Sequence, residues 1–426
     1  MNTLLEVVNY VLGLGPSVML PILIFIVGLI FRVSPAKALR SGLTIGIGFV
    51  GINLVVGLLS SNLAPAAQQM VDRFGLSLTA IDAGWPAAAA GAWAATTIAA
   101  PMIPLAIAVN LIMIALNLTK TLNIDIWNFW HFISIAAVTY FITGNWLFSM
   151  FMGVVREVIC LIVADKTAPM VEEFYGLEGV SIATGSTVGV GLLGMPIGWL
   201  IARIPGIKDI HVDPDTIQEK FGIFGEPMMM GIIIGIVIGI LAGYDVAQIT
   251  QLAISLGAVM FLMPRMVKIL MEGLIPISEA AREFMKSRFK GRDLYIGLDA
   301  ALTVGHPANI STGLLLVPIT IGLAFIIPGN IVLPFGDLAT IPFYVAFIVG
   351  SRKGNILHSV LTGTVVMALM LLMSSNMAPV HTQLLGGVGD WAYGHTGIQY
   401  VTSLDLGGNP VAWVLYRIAE AVRGLF

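Results

Sequence analysis

Apolar residues run through this chain in long blocks rather than alternating with polar ones. The blocks cover 18–31, 41–59, 98–118, 131–164, 228–243, 246–264, 310–327, 332–349 and 356–373. Runs of that length without a regular polar face predict helices that are apolar all round. The stretch 131–164 is longer than one membrane crossing needs and is expected to be two helices, broken near Gly144-Asn145. Three polar, amphipathic segments, 62–76, 203–222 and 265–292, separate the blocks, and the last carries seven basic residues from Arg265 to Arg292.

Composition says what surrounds these helices. The chain is 57% hydrophobic and 11% charged, with a mean hydropathy of +0.93. A soluble domain carries roughly 25% charged residues. So few charges cannot screen so apolar a chain from water, and the chain reads as an all-α polytopic membrane protein with length for about ten spans. The first apolar run is followed by Arg32, Lys37 and Arg40 and reads as a retained span rather than a removed leader. A net charge of −3 offers no basic face to nucleic acid. The single cysteine, Cys160, excludes a disulfide framework or a multi-thiolate metal site.

Four glycine-rich, partly polar stretches interrupt the pattern: Asp82–Trp93, Gly176–Gly194, Tyr295–Thr312 and Met377–Pro410. Irregular backbone at membrane depth survives only where protein or a watery cavity satisfies it. Re-entrant hairpins or broken helices are therefore expected, while for Met377–Pro410 an external loop stays equally open.

A shift of 211 positions aligns Pro16 with Pro227, Met19 with Met230, Gly28 with Gly239, Gly46 with Gly257 and Pro65 with Pro276. With small gaps Asp82 meets Asp299, Asp125 meets Asp337, and Gly144-Asn145 meets Gly354-Asn355. Charge sets the halves apart. Segment 32–40 has three basic residues and its counterpart 243–251 none, whereas 59–75 has only Arg73 and its counterpart 265–292 has seven. Positive charge marks the cytoplasmic side, so matched segments are expected on opposite faces, as in inverted-repeat transporters with a site at the bilayer midplane. The expected organisation is a first inverted repeat over 10–200, an amphipathic connector over 201–223 and a second repeat over 224–415.

Ionisable groups within a membrane are costly and call for a reason. Asp299, His306 and Asn309 share one short broken segment. A carboxylate, an imidazole and an amide there can grip several hydroxyls of one sugar or polyol, or can cap and pack the helix that follows. Glu178, Ser186 and Thr187 form a second candidate group among closely spaced glycines, with small-residue helix packing as the alternative. Asp82 and Trp85 offer a carboxylate beside a ring that could stack on a carbohydrate or anchor at the interface. Asn128 and His131, one helical turn apart, could face the same site. No phosphate-cradling loop, zinc-binding pair or nucleophile elbow occurs, so no cofactor, metal ligand or catalytic residue is expected.

Several local motifs point one way together: Gly46-Ile-Gly-Phe-Val-Gly51, Asp125-Ile-Trp-Asn128, Leu177-Glu-Gly179, Phe221-Gly-Ile-Phe-Gly-Glu-Pro227, Leu241-Ala-Gly-Tyr-Asp245, Gly297-Leu-Asp299, Gly305-His306 and Val332-Leu-Pro-Phe-Gly-Asp-Leu-Ala-Thr340. Over residues 10–415 the chain resembles the galactitol-type enzyme IIC of the bacterial sugar phosphotransferase system, in the ascorbate/galactitol superfamily. The resemblance implies a multi-pass homodimer in the lipid of the inner membrane. It also implies an elevator-type core that carries a small polyol or sugar, which a cytoplasmic enzyme IIB phosphorylates after enzyme IIA has charged it. The phosphoryl-carrying cysteine belongs to that separate IIB, not to Cys160. Where the family is expected to carry histidine this chain has Thr184, which favours a related polyol or sugar over galactitol itself. An ion-coupled secondary transporter of a sugar, polyol or ascorbate-like solute is the alternative.

Overall fold

The computed structural model describes residues 16–74, 78–85, 88, 91–92, 97–125, 128–221, 223, 226–288, 294–334, 336–386 and 398–425. Pro86, Trp93, Trp127, Lys290 and Arg292 lie outside them. The first half contains α1 (Pro16–Ile30), α2 (Pro35–Phe74), β1 (Ala80–Asp82), α3 (Ala99–Ala115), β2 (Thr121–Asn123), α4 (Phe129–Thr143), α5 (Trp146–Tyr175), β3 (Val180–Ile182) and α6 (Gly185–Ile201). A short connector helix, α7 (Pro214–Phe221), leads to the second half. There follow α8 (Pro227–Ala242), α9 (Val246–Arg288), β4 (Tyr295–Leu298), α10 (Ala301–Val304), α11 (Pro307–Ile326), β5 (Val332–Leu333), α12 (Ile341–Tyr344), α13 (Ala346–Ser351), α14 (Ile356–Leu384), β6 (Tyr400–Thr402), α15 (Leu404–Gly407) and α16 (Pro410–Val422). Among the described residues four helical stretches, in α5, α9, α11 and α14, are long and apolar enough to cross a membrane. The protein is a mostly helical, multi-pass membrane protein.

The break at Gly144-Asn145 has a local cause. Gly144 closes α4 in the left-handed region at φ 65°, and Asn145 opens α5 by accepting a hydrogen bond from the Phe148 amide at 2.9 Å. Asn355 opens α14 in the same way, accepting from the His358 amide at 3.2 Å. The polar segments 62–76 and 265–292 are not the separate punctuation their composition suggests. The first continues α2, which is 40 residues long and holds Pro65 inside it, and the second continues α9, 43 residues long. Helices of that length reach about 60 Å, twice the hydrocarbon thickness.

Helices α1, α2, α8 and α9 form one bundle. It closes through small residues. A side chain at Gly235 would meet the Ala253 backbone at 2.6 Å, and one at Gly273 would meet the Ser41 carbonyl at 2.8 Å. Such close backbone approach supplies packing where lipid removes the hydrophobic drive between helices. The other long helices form a second body, with α4 against α5, α11 against α14, α6 against α13 and α14, and α16 against α4. The two bodies meet mainly where α8 and α9 touch α10 and α11 and where α2 touches residues 338–340.

Two small parallel sheets sit inside the second body. One has the order β5-β1-β6 and the other β2-β4-β3. The middle strand of each comes from one half of the chain and both flanking strands from the other. Ile81 pairs with Leu333 and Val401, and Ile296 pairs with Leu122 and Val180. The segment 400–410, part of the stretch whose placement composition left open, is buried in this body, with Val401, Thr402, Ser403 and Leu404 fully covered. Residues 387–397 lie outside the described residues.

The loops after the sheet β5-β1-β6 leave no slack. Gly84 has φ +85°, and a side chain at Gly336 would lie 2.3 Å from its amide nitrogen. Gly336→Ala should therefore cost about 1–3 kcal/mol and lower both the folded yield and the apparent melting temperature in detergent. Unchanged melting of the purified variant would show that this contact relaxes freely.

Candidate functional site

All strands in each sheet run parallel, so their carboxyl ends share one edge, and polar residues gather there. β1 ends in Asp82, β2 in Asn123 followed by Asp125, and β4 runs directly into Asp299. Beyond β3, β5 and β6 come Thr184, Asp337 and the pair Ser403 and Asp405. Several helices begin just past these residues, so their unpaired amides and positive dipole ends face the same region.

At the sheet β5-β1-β6 the carboxylates are consumed by the fold. Asp82 accepts the amides of Gly84 (3.1 Å), Asp337 (2.8 Å) and Leu404 (3.2 Å). Asp337 accepts the Trp85 amide at 2.7 Å, the Ser403 hydroxyl at 2.6 Å and the Asp405 amide at 3.0 Å. Both side chains are fully buried.

The sheet β2-β4-β3 leaves more in reserve. Asp125 accepts the Asp299 amide at 3.1 Å. Asp299 accepts the Ala301 amide at 2.8 Å and the Thr184 hydroxyl at 3.0 Å, and Thr184 in turn accepts the Ala300 amide at 2.7 Å. Asn128 donates to Asn123 at 2.8 Å, but its carbonyl oxygen and the Asn123 amide nitrogen find no hydrogen-bond partner. Neither ring nitrogen of His131 has one. Its Nε2 stands 3.6 Å from Oδ2 of Asp405, whose Oδ1 is likewise unpartnered. Asp299 lies within electrostatic reach of both His131 and Asp405.

His131 is held by a close approach. A side chain on Gly185, at the start of α6, would lie 2.4 Å from its Cγ. Behind it, the Nη2 of Arg156 donates to the Gly185 carbonyl at 2.7 Å and to Oδ1 of Asn409 at 3.0 Å. Asn409 also donates back to the Gly185 carbonyl at 3.0 Å and caps α16. The strand ends therefore enclose a buried set of donors and acceptors from both halves of the chain, several of them unpaired. Such groups are costly in isolation and fit a ligand that carries many hydroxyls. Among the described residues no three His, Cys, Asp or Glu side chains stand together as a metal site.

Comparison with known proteins agrees with this setting. Residues 10–393 match the family EIIC-GAT, described as the sugar-specific permease component of the PTS system. The chain is 41% identical over 413 residues to the galactitol-specific EIIC component of the PTS system of Escherichia coli K12, covering 97% of this chain and 90% of that protein. It is 38% identical over 376 residues to a putative permease IIC component of the same strain, covering 88% and 86%. The chain belongs to the EIIC-GAT family.

The expected site residues of this EIIC chain are split, eight of them into three groups and two standing apart. Asp299, Asn128 and His131 come together at the sheet β2-β4-β3, with Ser186 buried one residue beyond Gly185. Asp82 and Trp85 sit at the other sheet, where the Trp85 amide is bound by Asp337. His306 and Asn309 serve the break between α10 and α11. The His306 ring lies 4.4 Å from that of Phe174 and its Nδ1 accepts the Ala308 amide at 3.2 Å, while Asn309 donates to the Thr303 carbonyl at 3.1 Å and accepts from the Tyr175 hydroxyl at 2.9 Å. Thr187 donates to the Phe343 carbonyl at 2.8 Å, and Glu178 is exposed on the turn before β3. The structure adds Arg156, Asp405 and Asn409 to the candidate site. The one signal for Arg156 in the sequence is a charge in the middle of an apolar run.

Gly185→Ala should push the His131 ring out of place and weaken binding of the transported sugar about tenfold or more. Gly322→Ala, where a side chain meets nothing within 4 Å, should leave binding unchanged. Equal affinities in the two purified variants, read by calorimetry, would remove His131 from the site.

Proposed function

We propose that this chain carries galactitol or a closely related alditol across the bacterial inner membrane as the IIC subunit of a phosphotransferase system. In this reading a cytoplasmic IIB, charged through IIA, phosphorylates the alditol as it arrives. The observation that carries the reading is the buried polar cluster of Asp299, Asn128, His131 and Asp405, whose unpaired atoms suit a neutral ligand rich in hydroxyls. The 41% identity to a galactitol-specific EIIC component over nearly the whole chain supports the same substrate class.

The transport step proposed is of the elevator type. The bundle of α1, α2, α8 and α9 would serve as the fixed, dimerising scaffold set in lipid, and the body holding both sheets as the moving carrier. The thin contact between the two bodies favours sliding over repacking. We also read residues 10–200 and 224–415 as inverted repeats joined by the connector 201–223. Each half opens on two helices followed by a strand and goes on through two further strands separated by helices, and the two sheets exchange strands reciprocally.

Vesicles containing the purified chain test this directly. Galactitol phosphate should accumulate inside only when phosphorylated IIB is present on that side. Build-up of free galactitol driven by a proton or sodium gradient, without IIB, would overturn the proposal. Asp299→Asn should weaken galactitol binding at least about tenfold while leaving the oligomeric state intact, and an unchanged dissociation constant would take Asp299 out of the binding set.

A further inference from the structure

Arg156 lies in the middle of α5 and is 1% exposed. Its Nη2 is fully used by the Gly185 carbonyl and Asn409, yet its Nε and Nη1 have no hydrogen-bond partner. A buried guanidinium can only donate, so three N–H groups, one on Nε and two on Nη1, stand without an acceptor, with the Asp405 carboxylate within electrostatic reach but not bonded to them. Arg156 lines a cavity of about 10 Å³ together with His131, Ser134 and Asn409, and Leu406 and Ala412 add apolar wall. That volume takes one water-sized group. A whole hexitol does not fit, but a single hydroxyl does.

We propose that this cavity is the subsite for one terminal hydroxymethyl group of the substrate, and that Arg156 is the specificity-determining residue that reads it. The hydroxyl oxygen accepts from the guanidinium, its proton is given to a ring nitrogen of His131, and the methylene rests against Leu406 and Ala412. Asn409 fixes the guanidinium in turn, since a side chain at Gly189 would come within 2.1 Å of its Oδ1. The site is thus built to require a hydroxyl at one end of the chain of carbons and rejects a methyl group there, because the methyl would leave the donors buried and unpaired. This inference rests on the alditol reading above.

Galactitol offers a direct probe, because its two ends are mirror images. Each enantiomer of 1-deoxygalactitol lacks the hydroxyl at a different end, so only one of them loses the cavity contact. Calorimetry on the full-length protein in detergent should show that one enantiomer binds at least about tenfold more weakly than galactitol. In Arg156→Gln galactitol itself should weaken, and its advantage over that enantiomer should shrink to within about twofold. Ala412→Val narrows the cavity without touching Arg156 and should likewise weaken galactitol and erase the difference, which keeps the test open if Arg156→Gln fails to fold. A full enantiomer penalty surviving in Arg156→Gln, or galactitol affinity unchanged by Ala412→Val, would overturn the subsite while leaving the alditol reading standing. Wild-type protein that binds neither galactitol nor any other hexitol would overturn both.

Discussion

The fold turns on carboxylates that accept backbone amides from the opposite half of the chain. Asp337 in the second half takes the Trp85 amide of the first, and Asp125 in the first takes the Asp299 amide of the second. Within a membrane, an unsatisfied amide costs several kcal/mol. Irregular backbone is possible here because these side chains, with Asp82 and Thr184, satisfy it from within. The same residues hold the ends of strands from both halves against one another. At the sheet β5-β1-β6, Asp82 and Asp337 are spent on this task, and only Asp405 beyond β6 keeps an unpartnered oxygen among the carboxylates described there. The other sheet keeps unpaired atoms on Asn123, Asn128 and His131, and this asymmetry singles out one edge as the candidate site.

Division into a bundle and a second body follows from the same economy of contacts. Small residues let α2, α8 and α9 approach closely, and at one end Arg73 of α2 donates to the Ile240 and Leu241 carbonyls of α8. In the second body the connector is sewn to α14: the Ile356 amide donates to Val212, the Asn355 side chain to Ile210, and His358 bonds the Ile207 carbonyl at 3.0 Å. Residues 207–212 are therefore tied to α14.

Much of this was legible in the residues. The break at Gly144-Asn145 is written in a left-handed glycine and a capping asparagine, both local effects. The glycine-rich polar stretches do mark the strand ends and broken helices. What escaped notice depends on distant partners. Strands of two to four residues have no periodicity to read, and their pairing joins positions as far apart as Ala80 and Tyr400. The continuation of α2 past Pro65 and of α9 to Arg288 was hidden because an amphipathic end looks like a loop when the helix it packs on is unknown. At the site, Asp299, Asn128 and His131 stood out as polar residues in apolar surroundings. His306 and Asn309 stood out for the same reason, although they brace a helix break, and sequence does not say which way a side chain faces.

The interlocked sheets also constrain how the protein is made. As the ribosome proceeds from the first residue, β1 emerges with both edges bare, and the strands that flank it, β5 and β6, follow some 250 and 320 residues later. The first half must wait in the bilayer or its translocation machinery with those edges shielded, and neither half alone can close its own hydrogen-bond ladder. A gene cut at the connector would need both fragments present together, since each supplies the seam that completes the other.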